Sequence, residues 1–347
     1  LAIPLVTAIS TTLAAKNGLL VRERMALESA RNIDVILFDK TGTLTKGEQG
    51  VVGILAKDQS RTLSIAAALE RESEHPIAKA IFQYAHDQNV PETHTTDFSA
   101  LSGRGVRAKV DGKTVYVGGP RLLEELKLKL DNELQKAADE ASNDGKTVVY
   151  VVENETILGA IMLADVIREE SKEAVTRLHS MGKRVAMLTG DSKGVAAWVA
   201  KELGIKEYFA EVLPENKAET VKKLQADGSR VAMVGDGVND APALTQANIG
   251  IAIGAGTDVA IESAGIVLAS SDPRGVAKIV TLSKATYRKM LQNLAWATGY
   301  NALAIPLAAG VTSAFGFVLS PALGAVLMSL STIIVAINAQ FLRRIKL

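Results

Sequence analysis

Cysteine is absent from the 347 residues, so they hold no disulfide, no thiolate metal site and no cysteine nucleophile. Aromatic residues are scarce at 4%, while Gly, Ala, Val, Leu and Ile dominate. That composition suits α/β sheets and membrane helices better than an all-β sandwich. Charge of one sign is not in excess either. The formal net charge is +1, which removes any global electrostatic case for a nucleic-acid partner. No basic residue precedes the apolar opening Leu1–Ala15, and no small-residue cleavage pattern follows it, so it does not read as a signal peptide. Its first charge is Lys16. We read residues 1–16 as the end of a membrane helix whose beginning is missing, followed by a connecting helix over 17–33.

Charge is also missing near the other end. Between Lys289 and Arg343 lie about fifty uncharged residues, where one membrane helix needs about twenty. Two spans over 286–343 fill this stretch, with a turn among Gly310, Thr312, Ser313, Gly316, Ser320 and Pro321. Lys284, Arg288 and Lys289 precede it, and Arg343, Arg344 and Lys346 follow. Basic residues at both ends place both on the cytosolic side and predict a hairpin through the lipid bilayer.

What is present between these ends is a soluble α/β pattern, and the length suits two or three domains. Buried-strand runs Val35–Phe38, Val185–Leu188 and Val231–Val234 each end in Asp, Thr or Gly. Helical stretches such as Glu169–Met181 and Gly194–Leu203 separate them, predicting a parallel sheet with its site at the strands' carboxyl ends. An insertion, roughly Glu48–Val152, has its own rhythm. It predicts helices over Arg61–Glu72 and Ile77–Asp87 and a hairpin turning at Asp111-Gly112. One long helix from Arg121 to about Ser142 follows, then strands Thr147–Val152 and Thr156–Met162.

Four strings carry the chemistry. Asp39-Lys40-Thr41-Gly42-Thr43-Leu44-Thr45 closes the first strand. A carboxylate there is a competent nucleophile toward a phosphoryl group, and the Thr and Gly residues offer hydroxyl and backbone N–H donors. An isolated Asp would usually only cap a turn. Thr189-Gly190-Asp191 follows the second strand and alone is equally good as a turn and helix cap. Lys217, in Pro214-Glu215-Asn216-Lys217, supplies one cation to offset phosphoryl charge. Gly235-Asp236-Gly237-Val238-Asn239-Asp240 turns tightly after the third strand. Asp236 there is suited to Mg²⁺, with Asn239 and Asp240 beside it.

In this order the strings resemble the haloacid-dehalogenase-like phosphorylation domain, and the fuller Asp39–Thr45 string with a large insertion resembles P-type ATPases. The resemblance implies a Rossmann-like phosphorylation domain (34–47 and 156–280) carrying an inserted α+β nucleotide-binding domain (48–155). It implies that ATP phosphorylates Asp39. It places Mg²⁺ on Asp39, the Thr41 carbonyl and Asp236, and the phosphoryl group against Thr189, Lys217 and Asn239, with Asp191 and Asp240 in the catalytic set. Ser73-Glu74-His75-Pro76 with Glu70, the Gly103-Arg104-Gly105 loop and Gly118-Gly119 resemble the nucleotide-binding domain of heavy-metal P-type ATPases. Glu70, Ser73, His75, Pro76, Gly103, Gly105 and Gly118 are thereby expected around ATP. Heavy-metal pumps commonly have Gly-Asn where this chain has Gly118-Gly119, so that Asn side chain is lacking.

Polar residues inside a membrane default to function. Here they include Tyr300 and Asn301, then Met328, Ser329, Ser331, Thr332 and Asn338. Neither expected span holds a carboxylate, lysine or histidine, unlike zinc, cadmium or cobalt pumps. Tyr300-Asn301 with Ile305–Gly310 resembles copper-type pumps, Met328-Ser329-x-Ser331-Thr332 with Leu1–Leu5 looks most similar to the CopB-like branch, and a thioether favours soft Cu(I) or Ag(I). The hydroxyls are also what helix packing in a membrane uses. In that branch a Cys-Pro-His precedes the segment matching Leu1–Leu5, and an actuator domain with a Thr-Gly-Glu loop drives dephosphorylation. Neither string occurs here. The expectation is therefore the C-terminal part of a copper or silver exporter in the plasma membrane, its catalytic domains in the cytosol. It would lack the actuator domain and earlier membrane helices that a complete pump uses. A zinc- or cadmium-type pump, a soluble haloacid-dehalogenase-type phosphatase and a nucleotide-binding membrane scaffold are the rivals. The phosphatase rival usually has an acid/base Asp two residues after the nucleophile, where this chain has Thr41.

Overall fold

The computed structural model describes residues 3–71, 73, 75–101, 103–254, 258–311, 313 and 319–347. Leu1, Ala2 and Glu74, and Thr312 and Gly316 of the expected membrane turn, lie outside them. The chain forms two compact units. One comprises Leu1–Asp39, Glu173–Ala186 and Pro214–Leu347, the other Lys40–Lys172 and Met187–Leu213.

The first unit is organised by a parallel sheet. Val35–Asp39 pairs with Val231–Gly235, which pairs with Ile249–Ile253, and Ile266–Leu268 follows. Leu19–Val21 closes the edge antiparallel. Every residue of Val35–Asp39, Val231–Gly235 and Ile249–Ile253 is buried. Such strands read as unbroken apolar runs because a parallel sheet is covered on both faces. The register sets Phe38 opposite Val234. Asp39 and Asp236 therefore emerge together at the carboxyl edge.

From this sheet a single helix, Arg274–Ala308, runs for 35 residues. Its first turns bury Val276, Ile279, Val280 and Leu282, while its later turns are mostly exposed. Pro306 lies in its last turn and has no N–H to give the carbonyl four residues earlier. Ser320 caps the helix Pro321–Gln340 by accepting from Leu323 N. Helix Pro4–Lys16 packs on both, through Val6, Ile9, Ala339 and Leu342, and Ser10 hydrogen-bonds Thr286 at 2.8 Å. Among the described residues only Pro321–Arg344 is long and apolar enough to cross a membrane. This helix is the second span of the expected hairpin, and the first expected span falls within the long helix before it. Residues 291–308 are helical, but Gln292, Asn293, Tyr300 and Asn301 dilute their hydropathy.

The second unit is built on a six-stranded antiparallel sheet. Its spatial order is Thr45–Ala56, Thr156–Ile167, Thr147–Glu153, Lys113–Gly118, Gly105–Val110 and Thr96–Leu101. Side chains alternate across it. Val149 and Val151 join Leu69 and Ile81 of helices Gln59–Glu70 and Pro76–Asp87 on one face. Val148, Tyr150 and Val152 join Leu123, Leu134 and Ala138 on the other. The Asp111-Gly112 turn is where the sequence places it, with both residues at positive φ. The single helix expected from Arg121 is instead two, Pro120–Leu126 and Asn132–Asn143. Lys127 ends the first in a left-handed conformation (φ 53°), and Asp131 caps the second through Leu134 N at 2.8 Å. Helices Glu169–Ser180 and Lys193–Leu203 match expectation within a residue or so at their ends.

Candidate active site

The sheet register of the first unit brings three carboxylates together. Asp39, Asp236 and Asp240 each offer an oxygen, and these oxygens lie within 4.8 Å of one another. Lys217, at the start of helix Lys217–Ala226, reaches Asp39 Oδ1 at 2.5 Å and Asp240 Oδ1 at 2.7 Å. Asp240 Oδ2 accepts from the backbone N–H groups of Asp236 and Gly237 at 3.3 Å, which shapes the loop. Gly235 is required there, because a Cβ would stand 2.5 Å from Asp240 Oδ2. Asn239 is exposed on the same turn.

Electrostatics marks Asp39 out. Burial, reinforced by Asp240 and only partly offset by Lys217, pushes its carboxyl up to about 7. For Lys217 burial alone would lower the ammonium, but Asp39 and Asp240 outweigh it and the net shift is upward. Three carboxylates converge here, and Lys217 bridges two of them, Asp39 and Asp240. A hard divalent ion with oxygen ligands, such as Mg²⁺, fits that donor set. Asp240, expected in the catalytic set, belongs to the carboxylate group as well.

The second unit holds the residues that follow Asp39. Lys40 is buried with its ammonium 2.9 Å from Asp165 Oδ2 and 2.6 Å from Asp191 Oδ2. Asp165 also accepts from Thr45 Oγ1 at 2.6 Å and Gly47 N at 3.0 Å. Arg168 donates to Gly42 O at 3.0 Å, and Ser171 to Leu44 O at 2.8 Å. Gly42, at φ 75°, makes the turn possible. Thr189 Oγ1 accepts from Asp191 N at 3.1 Å, and Thr189 is buried. Sequence reasoning missed Lys40, Asp165 and Arg168. Asp165 lies inside the strand Thr156–Ile167, with Val166 and Ile167 following it, so no break in the apolar run marked it.

The residues expected around the nucleotide all belong to the second unit. Glu70 closes a helix and is buried, and burial lifts its carboxyl to about 7 against a hydrogen bond from Ser73. His75 caps helix Pro76–Asp87, its Nδ1 accepting from Ile77 N at 3.2 Å. That leaves Nε2 as the nitrogen able to meet a ligand. Gly105 and Gly118 face each other across neighbouring strands. A Cβ on Gly105 would lie 2.0 Å from Val117 O, and one on Gly118 would lie 2.1 Å from Arg104 O. Their first role is therefore strand approach. Gly103, at φ 70°, leaves open space where a Cβ would be. A cleft of about 1040 Å³ runs through the unit, lined among others by Lys40, Thr41, Lys46, Pro76, Lys79 and Trp198. Of the residues expected around the nucleotide, Pro76 lines it and Glu70, Ser73, His75, Gly103, Gly105 and Gly118 do not.

Tyr300, Asn301, Met328 and Ser329 are not gathered into a buried site. Asn301 and Met328 are exposed, Tyr300 is half-buried, and Ser329 Oγ donates to its own helix at Ala325 O. The polar side chains that do meet between these helices are Lys289, Gln292, Asn293 and Asn338.

The chain is similar to known proteins. The family model for haloacid dehalogenase-like hydrolases matches residues 33–248. Copper-exporting P-type ATPase B of Archaeoglobus fulgidus is 56% identical over 99% of this chain and 49% of its own length. The chain thus spans about half the length of the curated relatives it matches. The crystal structure of a zinc-transporting PIB-type ATPase superposes with TM-score 0.86 at 34% identity, over 98% of this chain and 55% of that one. The catalytic domain of the CPx-ATPase CopB-B is 32% identical over 78% of this chain and 98% of its own, with TM-score 0.53. The chain belongs to the haloacid dehalogenase-like hydrolases and, among them, to the P-type ATPases.

Proposed function

We propose that this chain is the catalytic and C-terminal membrane part of an ATP-driven pump that exports copper through an aspartyl phosphate on Asp39. The observation that carries the reading is the buried Asp39 carboxylate, set against Asp236, Asp240 and Lys217 at the end of a parallel strand. One Asp39 oxygen attacks the γ-phosphorus of ATP, the new O–P bond forms, and the bond to the departing ADP oxygen breaks. Lys217 balances charge on the transferred group. Mg²⁺, held by Asp39 and Asp236 with the Thr41 carbonyl or Asp240, would supply further charge neutralisation. Thr189, Asn239 and Asp191 complete the catalytic set. Glu70, Ser73, His75, Pro76 and Gly103, with the Gly105–Gly118 strand pair, receive the nucleotide. In this division residues 34–47 and 156–280 phosphorylate and residues 48–155 bind ATP.

The cargo is argued from the absence of charge. Between Lys289 and Arg343 there is no carboxylate or histidine, so a zinc ion would meet no anionic ligand there. The Met328 thioether suits soft Cu(I) or Ag(I), with Tyr300, Asn301 and Ser329 nearby in sequence pattern. We place the pump in the plasma membrane with Asp39 in the cytosol. We also propose that dephosphorylation and the main metal ligands belong to an actuator domain and earlier membrane helices. Metal-stimulated phosphoenzyme turnover in the full-length pump tests the cargo. Stimulation by Cu(I) or Ag(I) and not by Zn(II) is expected, and stimulation by Zn(II) alone would overturn it.

A further inference from the structure

After Asp272 the chain contains no acidic residue, yet lysines and arginines recur to its end. Two of them converge on one aromatic ring. Lys289 Nζ lies 5.5 Å and Arg344 Cζ 5.0 Å from the Phe341 centroid. Neither forms a salt bridge with any described residue. The Lys289 ammonium donates to the Asn338 amide oxygen at 2.8 Å, and Asn338 Nδ2 donates in turn to Asn293 Oδ1 at 2.8 Å and Gln292 Oε1 at 3.4 Å. Elsewhere such a basic residue is neutralised, as Arg274 is by Asp272 and Glu173.

These residues form one wall system. Lys289, Gln292, Asn293 and Trp296 repeat at i, i+3, i+4 and i+7, and so do Ile334, Ile337, Asn338 and Phe341. Each set therefore shares a helix face, and together they line a groove of about 470 Å³. The groove is amphiphilic along its length. The cations and Phe341 stand at the end where Pro321–Arg344 finishes, and Trp296 and Ile334 lie further along. Trp296 and Ile337 remain about half exposed, at 47% and 52%. Helix Pro4–Lys16 covers the pair through Ala339 and Leu342, residues that do not line the groove.

We propose that this groove seats an anionic phospholipid of the cytosolic leaflet. Its phosphate lies against Lys289 and Arg344 and an acyl chain runs along Trp296 and Ile337. Charge complementarity selects the occupant, since Lys289 lines the groove, Arg344 stands on the Phe341 ring at its rim, neither has an anionic partner among the described residues, and an exposed apolar wall lies beside them. An ammonium or guanidinium at the cytosolic boundary attracts anionic headgroups, and basic pockets between membrane helices recognise them. Tryptophan suits the same interfacial level. This site goes beyond the pump reading and rests on its membrane placement alone.

Trp296 makes the test direct, because the only other tryptophan is Trp198. The protein carrying Trp198→Phe is placed in nanodiscs containing either brominated phosphatidylglycerol or brominated phosphatidylcholine, and Trp296 fluorescence is followed. Phosphatidylglycerol is expected to quench with a preference of about tenfold per mole, two cations acting together. The preference should vanish in Lys289→Gln/Arg344→Gln and persist in Arg288→Gln/Lys346→Gln, which removes equal charge outside the groove. Equal quenching by the two lipids would overturn the proposal, as it would if a protein segment fills the groove. So would equal loss in both double variants, the mark of diffuse surface attraction. Should Trp198→Phe not fold, native mass spectrometry of the protein with Trp198 intact reads the same outcome. Phosphatidylglycerol adducts should outlast phosphatidylcholine adducts and be lost with Lys289→Gln/Arg344→Gln, and adducts that survive that change would refute the site.

Discussion

Asp39 and Lys40 are neighbours in the chain, both are buried, and the protein treats their charges in opposite ways. Lys40 is closed off. Its ammonium has Asp165 and Asp191, and Asp165 is in turn satisfied by Thr45 and Gly47. Asp39 is left open. It shares a single ammonium with Asp240, with Asp236 close by, and its carboxyl is held up near 7. A satisfied buried network fixes one structure, whereas an under-compensated one stores a demand for positive charge. The comparison separates the part that builds the phosphorylation loop from the part that reacts.

The strongest challenge to this contrast is Lys217→Met. It leaves Asp39 and Asp240 without their cation. Breaking such a buried pair costs about 3 kcal/mol of stability, and loss of transition-state charge balance lowers the phosphorylation rate about 10³-fold. Denaturant melts and a quenched labelling time course check both. If stability falls while the rate holds, Lys217 is structural and the contrast fails. Lys40→Met should cost a similar amount, about 3 kcal/mol, but leave intact the Mg²⁺-dependent rise in melting temperature that we assign to the Asp39 cluster. If that Mg²⁺ effect disappears as well, the two clusters are one.

Gly235→Ala is the next smaller change. Its Cβ would meet Asp240 Oδ2, and forcing the loop aside costs about 2 kcal/mol, readable as a lower unfolding midpoint. Weakened Mg²⁺ binding should accompany it, because Asp240 moves. Normal Mg²⁺ binding in this variant would remove Asp240 from the cation site.

Much of this site was legible because its chemistry sits where apolar strand runs end. Val35–Phe38 and Val231–Val234 announce Asp39 and Asp236 without any knowledge of their pairing. Asp165 was hidden by its own strand. The run Thr156–Ile167 continues for two apolar residues beyond it, so no break marks the spot. The split of the Arg121–Ser142 stretch was missed for a related reason. Lys127 and Lys129 look helical, and only the left-handed backbone at Lys127 with the Asp131 cap ends one helix and starts another. His75 shows the reverse. Its place at the front of a helix is plain from Pro76, but the capping bond that commits Nδ1 needs coordinates.

Glu70 provides the smallest effect and a second under-compensated carboxylate to set beside Asp39. Its folded pKa of about 7 stands above the ordinary glutamate value of 4.5. The folded state therefore binds this proton more tightly. The associated stability is full below pH 4.5 and is lost as pH rises through about 7. Glu70→Gln should flatten that part of the pH–stability curve and keep the protein more stable at pH 8. An unchanged slope would mean that the Glu70 carboxyl is solvated.

The central claim is that the open charge cluster exists to make Asp39 a phosphoryl acceptor. Incubating the protein with [γ-³²P]ATP and Mg²⁺, quenching in acid and mapping the label tests this most directly. The account predicts an acid-stable, hydroxylamine-sensitive label on the peptide carrying Asp39, absent in Asp39→Asn. A label that survives Asp39→Asn, or none in a folded wild-type protein that binds ATP, would contradict it.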